Sequence, residues 1–175
     1  MKINYSTLNQ EFEDKGYFIY RKIFSEDYVS RLINEIYSSN KNIKYYDKDD
    51  KLRRIEKFYD KGQYLIEANK KIIDLIKNIL KKDVLIFKDK FNAKPPGGDG
   101  FYAHYDGIFK FKDDKDNIRN GWYEYGDFFV NALIALDECN KKNGTIELAN
   151  AHNGNFDELL ENTKKDSTPA LKEEI

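Results

Sequence analysis

Residues 94–106 read Lys-Pro-Pro-Gly-Gly-Asp-Gly-Phe-Tyr-Ala-His-Tyr-Asp, and they contain two of the three prolines and three of the ten glycines of the chain. The prolines and glycines predict a sharp turn, because proline cannot donate to a ladder and glycine tolerates positive φ. A strand is predicted over 101–106, where residues two apart point to the same side, so His104 and Asp106 can converge. Such a pair supplies two of the three ligands of a 2-His-1-carboxylate iron site. On the tripeptide alone, a surface histidine beside a surface aspartate is the ordinary alternative.

Strand patterns flank this stretch on both sides. Over 83–94 the apolar residues share one face, which Asp89 interrupts, and the opposite face is mostly polar. Residues 128–137 are almost continuously apolar, and Asn131 is the only polar residue in their interior. Its buried amide would need a hydrogen-bond partner. A turn with an Asn-Gly hairpin signal and a returning strand are predicted next, over 138–144 and 145–149.

Helical patterns occupy the N-terminal part of the chain. Ser6 or Thr7 can cap a first helix that stops at Gly16. Ser25, followed by two acids, begins a second helix with an apolar stripe. This stripe consists of Val29, Leu32, Ile33, Ile36 and Tyr37. A third helix is predicted over 67–82, and its apolar face consists of Ile72, Ile73, Ile76, Ile79 and Leu80.

The segments between these helices carry different patterns. Aromatic and branched residues at 17–20 favour a short strand. Residues 38–54 are polar and predict a solvated loop. The aspartates in this loop lack the glycine and the distal glutamate of a calcium-binding loop, which excludes that kind of site.

Composition places the chain among globular proteins with a single core. It has 175 residues and a net charge of -1, so neither nucleic acid nor a membrane is an expected partner. The single cysteine, Cys139, excludes an internal disulfide and fits a reducing compartment. No apolar run approaches the length of a membrane span, and the N-terminus lacks a signal-peptide pattern, so we expect a cytoplasmic protein.

Tight turns, strand patterns and helices gathered at one end predict an α+β protein with a mainly β core. We expect one domain over 1–175. Its predicted parts are a helical flank with one short strand, the core strands, and a polar C-terminal segment, over 1–82, 83–152 and 153–175.

Four blocks over 84–152 resemble the phytanoyl-CoA dioxygenase family of Fe(II)/2-oxoglutarate enzymes, and weaker similarity extends back to residue 8. They are Lys-x-Asn-x-Lys-Pro-Pro-Gly beginning at Lys90, His-x-Asp at His104, a strand ending in Leu-Asp at Asp137, and Asn-Gly-x-Ile at Asn143. The resemblance implies a double-stranded β-helix, a cupin-like jelly roll, with N-terminal helices flanking one sheet.

The resemblance also implies a reaction, in which Fe(II), O₂ and 2-oxoglutarate serve to hydroxylate a C–H bond of a small-molecule substrate. It assigns His104 and Asp106 to the metal. It assigns cosubstrate contacts to Lys90, Asn92 and Asn131, and substrate contacts to Lys88, Tyr102 and Tyr105. From the residues alone, the lysine-rich face has an alternative as an outer face in water, and Asn131 has one as a structural hydrogen-bond partner.

Two further features bear on the predicted site. The long polar and aromatic segment 107–126 leaves directly from the His-x-Asp motif, and is expected to be either a lid over substrate or a loose insertion. His152, the other histidine, stands where the family carries a Pro-Gly-Ser-His turn. We expect it to be a structural or pocket-edge residue, with a substitute metal ligand as the alternative.

In the family, the third metal ligand and an arginine for 2-oxoglutarate lie on later strands, and no histidine or arginine follows His152 here. We therefore expect an incomplete barrel that does not turn over 2-oxoglutarate by itself, and self-association through unpaired strand edges. The alternatives to an enzyme are a non-catalytic jelly-roll module that binds a ligand, and a truncated or regulatory fragment.

Overall fold

A computed structural model describes residues 3–40, 42–96 and 104–148. The chain divides into two compact units. The first comprises Met1–Gly98 and Ile134–Asn150, and the second comprises Asp99–Leu133 and Ala151–Ile175. The described part of the chain is α+β, as predicted.

The first helix, α1, spans Tyr5–Lys15. Its cap is Asn4, whose side chain accepts a hydrogen bond from the backbone N–H of Thr7 at 3.2 Å, so the predicted cap at Ser6 or Thr7 is wrong. Both of those residues lie inside the helix. Gly16 ends the helix at φ 78°, as predicted, because glycine adopts the left-handed conformation without a steric penalty. Residues 17–20 form no strand, which corrects that prediction.

The second helix, α2, spans Glu26–Ser38, and the side chain of Ser25 accepts from the backbone N–H of Tyr28 at 3.3 Å. This start is the predicted one. Of its apolar stripe, Leu32 and Ile36 are buried, whereas Tyr37 is exposed.

The third helix, α3, spans Gln63–Leu80 and begins four residues before the predicted start. Its predicted apolar face is buried at Ile76, Ile79 and Leu80. Its N-cap residue, Gly62, has no side chain to offer. The carboxylate of Glu35 in α2 takes that place, and accepts from the backbone N–H groups of Tyr64 and Leu65 at 3.2 and 2.9 Å.

The predicted loop at 38–54 is wrong, because an antiparallel hairpin occupies most of it. Strand β1 spans Ile43–Tyr46, strand β2 spans Leu52–Glu56, and the two pair directly. Asp47 organises the turn, since its carboxylate accepts from the backbone N–H groups of Asp49 and Lys51. The polar composition of this segment reflects the turn and the exposed β1 strand.

Strand β3, Phe91–Asn92, pairs with β2 and completes a three-stranded sheet in the order β1-β2-β3. The predicted strand over 83–94 is therefore wrong for all but these two residues, and Leu85 is 94% exposed. The core lies between this sheet and the helices α2 and α3. It includes Leu32, Ile36, Ile55, Phe58, Leu65 and Ala68.

The second unit contains a small antiparallel hairpin, with β4 at Phe111–Lys112 and β5 at Ile118–Arg119. A single 3-10 turn, Gly121–Glu124, follows it. The segment predicted as a long loop therefore has secondary structure of its own. Its predicted role as a lid stays a prediction.

Two strands were predicted near the end of the described residues, but residues 128–137 and 145–148 form none. Leu133 and Ile146 are more than half exposed, so the apolar run does not form a buried strand. The predicted turn is confirmed, with Gly144 at φ 77°. Neither of the two sheets formed by the described residues closes on itself, and the jelly roll stays a prediction. Within those same residues, no helix is both long and apolar enough to cross a bilayer.

Candidate metal site

The predicted pair of metal ligands comes together in the second unit. His104 Nε2 lies 3.4 Å from Asp106 Oδ1, and the two side chains are 34% and 52% exposed. Of the strand predicted over 101–106, residues 104–106 are not in a strand, and Asp106 lies in a turn. Residues 101–103 lie outside the described part, so that portion of the strand stays a prediction.

The two oxygens of the Asp106 carboxylate have different neighbours. Oδ1 faces His104, and Oδ2 accepts a hydrogen bond from Asn131 Nδ2 at 2.7 Å. A hydrogen bond to an ionised carboxylate is shorter and stronger than one between neutral groups, and this distance is typical of such a bond. Asn131 is exposed, so the hydrophobic environment that was predicted for it is not present.

Aromatic packing supports the residues that follow the pair. Gly107 adopts φ 82°, and a Cβ there would lie 2.8 Å from the ring of Trp122. The backbone N–H of Trp122 donates to the carbonyl of Gly107 at 3.2 Å. The ring of Trp122 also lies 5.6 Å from that of Phe129, measured between centroids. Gly107 therefore allows the indole to approach the backbone directly beside Asp106.

The sequence offered a partial signal for this arrangement. A glycine directly after the His-x-Asp motif is consistent with a close approach or a positive φ. Nothing in the local pattern identified Trp122 as its partner, since the two residues meet only through tertiary packing.

The donor pair fits a metal such as Fe(II). Two cis ligands in an octahedral site, each about 2.1 Å from the ion, are about 3 Å apart, which is close to the observed N–O distance of 3.4 Å. An imidazole nitrogen and a carboxylate oxygen also match the donor types of the facial triad. Among the described residues, no three or more histidine, cysteine, aspartate or glutamate side chains cluster to hold a metal, so the pair supplies two ligands there.

The other predicted site residues divide between the two units. Lys88, Lys90 and Asn92 belong to the first unit, where Asn92 lies in β3 opposite Arg54. Tyr105 lies between the two candidate ligands and is half-buried. Tyr102 and His152 lie outside the described residues, so their predicted roles stay predictions.

Asp89 in the first unit has a function that its sequence pattern did not reveal. The pattern indicated only an interruption of an apolar face. Its carboxylate accepts hydrogen bonds from three successive backbone N–H groups, those of Lys57, Phe58 and Tyr59. It thereby fixes the chain between Lys88 and Lys90 to the connection between β2 and α3.

An α+β chain with an imidazole and a carboxylate side by side is compatible with several classes of metalloprotein, and comparison with known proteins identifies the class. Residues 12–167 match the phytanoyl-CoA dioxygenase family, PhyH, and the chain belongs to that family. This confirms the resemblance found in the sequence.

Two curated proteins are similar to the chain. One is the "Probable alpha-ketoglutarate-dependent hypophosphite dioxygenase" of Stutzerimonas stutzeri, which is 26% identical over 163 residues, 83% of this chain and 52% of the relative. The other is the "2-aminoethylphosphonate dioxygenase" of Uncultured bacterium HF130_AEPn_1, 26% identical over 101 residues, 56% of this chain and 34% of the relative. The chain thus spans about half the length of the first and a third of the second. No solved structure matches it significantly.

Proposed function

We propose that this chain belongs to an Fe(II)- and 2-oxoglutarate-dependent oxygenase that hydroxylates a C–H bond of a small metabolite. The observation that carries the proposal is the 3.4 Å approach of His104 Nε2 to Asp106 Oδ1 in a chain of the phytanoyl-CoA dioxygenase family. The name of one relative includes dependence on alpha-ketoglutarate, which supports the same cosubstrate here. A cupin-like jelly roll is the fold that family membership implies.

His104 and Asp106 would hold the metal through Nε2 and Oδ1. Bound Fe(II) supplies the activation of O₂, for which side chains of a protein have no equivalent. The role of the protein would be to hold these two donors next to each other and to orient the organic molecules. Family resemblance assigns the cosubstrate to Lys90, Asn92 and Asn131. It assigns the substrate to Lys88, Tyr102 and Tyr105.

The names of the two relatives suggest which substrates to test first. Hypophosphite and 2-aminoethylphosphonate are both small phosphorus oxyanions, and of the two only the phosphonate has C–H bonds. We include small phosphonates as the first substrate class for this chain. The ammonium group of Lys88, which family resemblance assigns to the substrate, suits anions of this kind, since lysine is a common phosphate ligand.

The experiment that tests the proposal is an anaerobic titration with Fe(II), or with Co(II) as a spectroscopic substitute. The unmodified chain is compared with His104→Ala, Asp106→Asn and the matched control Asp127→Asn, which removes an exposed carboxylate from the same unit. Loss of one ligand should weaken binding more than about 100-fold, because even outer hydrogen-bond partners of a metal ligand contribute 10–100-fold. His152→Ala should retain the metal if that residue is not a ligand.

Iron-dependent formation of succinate from 2-oxoglutarate, in the presence of a phosphonate panel, is the second measurement. We expect none from these 175 residues by themselves, because their described part supplies two metal ligands and not three. Equal metal affinity in the unmodified chain and in the His104 and Asp106 variants would refute the assignment. That result would favour a non-catalytic ligand-binding module.

A further inference from the structure

We infer that Asn131 is a positioning residue for the metal-binding carboxylate of Asp106 and not a contact of the cosubstrate. This inference rests on the proposed function, since it concerns the same metal site. Family resemblance assigns this amide to 2-oxoglutarate, and the residues alone leave a structural hydrogen bond as the alternative. The amide instead donates from Nδ2 to Asp106 Oδ2 at 2.7 Å.

The geometry separates the two carboxylate oxygens by role. Oδ1 is the oxygen that lies 3.4 Å from His104 Nε2, and Oδ2 is the one held by Asn131. A metal that bound both oxygens would compete with the amide for Oδ2. The hydrogen bond would therefore leave Oδ1, the oxygen beside His104, as the one that binds the metal.

The residues that flank this hydrogen bond on each side both contact Trp122. Gly107, directly after Asp106, accepts from the backbone N–H of Trp122 at 3.2 Å. Phe129, two residues before Asn131, packs against the ring of Trp122 at 5.6 Å. Trp122 therefore contacts one residue next to Asp106 and one residue close to Asn131. These two contacts help to hold the amide of Asn131 beside the carboxylate of Asp106.

The two roles for Asn131 predict opposite results in two separate titrations. If Asn131 positions Asp106, Asn131→Ala should weaken Co(II) binding 10–100-fold and alter the visible spectrum of bound Co(II), both without cosubstrate. At saturating Co(II), the affinity for 2-oxoglutarate should change less than about twofold, because no contact with it has been removed. If Asn131 binds cosubstrate, Co(II) affinity should be unchanged and 2-oxoglutarate affinity should fall.

The experiment uses the full chain and three variants. Asn131→Ala removes the side chain, and Asn131→Leu keeps a similar volume but has no donor. Asp127→Asn, the matched control on the same exposed segment, should bind Co(II) like the unmodified chain. Circular dichroism confirms that each variant is folded, and the exposure of Asn131 means that its replacement removes no core packing.

The outcomes distinguish failure of this inference from failure of the proposed function. Weaker Co(II) binding in both the Ala and Leu variants, with cosubstrate affinity retained, supports a positioning role. Unchanged Co(II) affinity in either variant overturns it, and leaves the metal site itself intact. Absence of Co(II) binding in the unmodified chain refutes the proposed function, and the inference is refuted with it.

Discussion

The Asp89 carboxylate is expected to stabilise the first unit, and Asp89→Ala tests this directly. Oδ1 accepts from the N–H of Lys57 at 2.9 Å, and Oδ2 accepts from those of Phe58 and Tyr59 at 2.6 and 2.9 Å. Three converging backbone donors form a concave anion site, which the protein fills with its own side chain. Lys57 adopts φ 60°, a conformation that a non-glycine residue keeps only when its surroundings hold it.

The size of the effect follows from the burial of each donor. The bonds to Lys57 and Tyr59 are exposed, so water replaces the carboxylate there at little cost. The bond to Phe58 is partly buried, and the Phe58 side chain is 8% exposed within the core. An unsatisfied buried donor costs about 1–3 kcal/mol. We therefore expect Asp89→Ala to lower the free energy of unfolding by about 2 kcal/mol.

Urea unfolding followed by circular dichroism measures this change, provided that the unfolding free energy falls with urea concentration at the same slope in both proteins. The matched control is Asp83→Ala, because the side chain of Asp83 is 92% exposed and pairs with Lys77 at the surface. It should change stability by less than about 0.5 kcal/mol. If Asp89→Ala were no less stable than Asp83→Ala, the carboxylate would not be holding this connection.

Two further predictions concern carboxylates that accept backbone hydrogen bonds. Glu35→Ala removes the cap of α3 and should lower the free energy of unfolding in urea by about 1 kcal/mol. Asn34→Ala, at an exposed position of α2, should leave it unchanged. Equal stability of the two variants would contradict the capping role. Burial acts to raise the pKa of Asp113, but hydrogen bonds from the backbone of Asn117 and Lys115 and from Arg119 outweigh it and lower the pKa to about 2. Because the folded pKa lies below the ordinary aspartate value of 3.8, the stabilisation of the β4–β5 hairpin is complete above pH 3.8 and is lost as the pH falls through about 2. An NMR titration of the Asp113 carboxyl group measures this, and a midpoint near 3.8 would contradict it.

The helices were predictable because their signals are local. A cap, a glycine at the end and apolar residues at spacings of three and four lie within one segment of the chain. Ser25 and Gly16 therefore marked helix ends correctly. The wrong position for the cap of α1 has the same origin, because Asn4, Ser6 and Thr7 all lie close together and are all residue types that favour the N-cap.

The strands were poorly predicted because strand formation depends on a partner from elsewhere in the chain. The apolar segments 84–87 and 128–137 have high strand propensity, but among the described residues no neighbouring strand pairs with them. The polar segment 43–56 became a hairpin because an aspartate turn brought its two halves together. The amino-acid composition of a segment indicates how exposed its side chains are. It does not indicate whether another strand will pair with the segment.

The sequence by itself determined the family. It also predicted that His104 and Asp106 lie side by side, because two residues on one short stretch need no distant partner to converge. Only the tertiary structure decided what surrounds that pair. Asn131 is 25 residues from Asp106 in the chain, and the amide reaches the carboxylate because Phe129 and Trp122 pack together. Contacts of this kind depend on loop closure and side-chain packing over long separations, and no periodicity in the sequence encodes them.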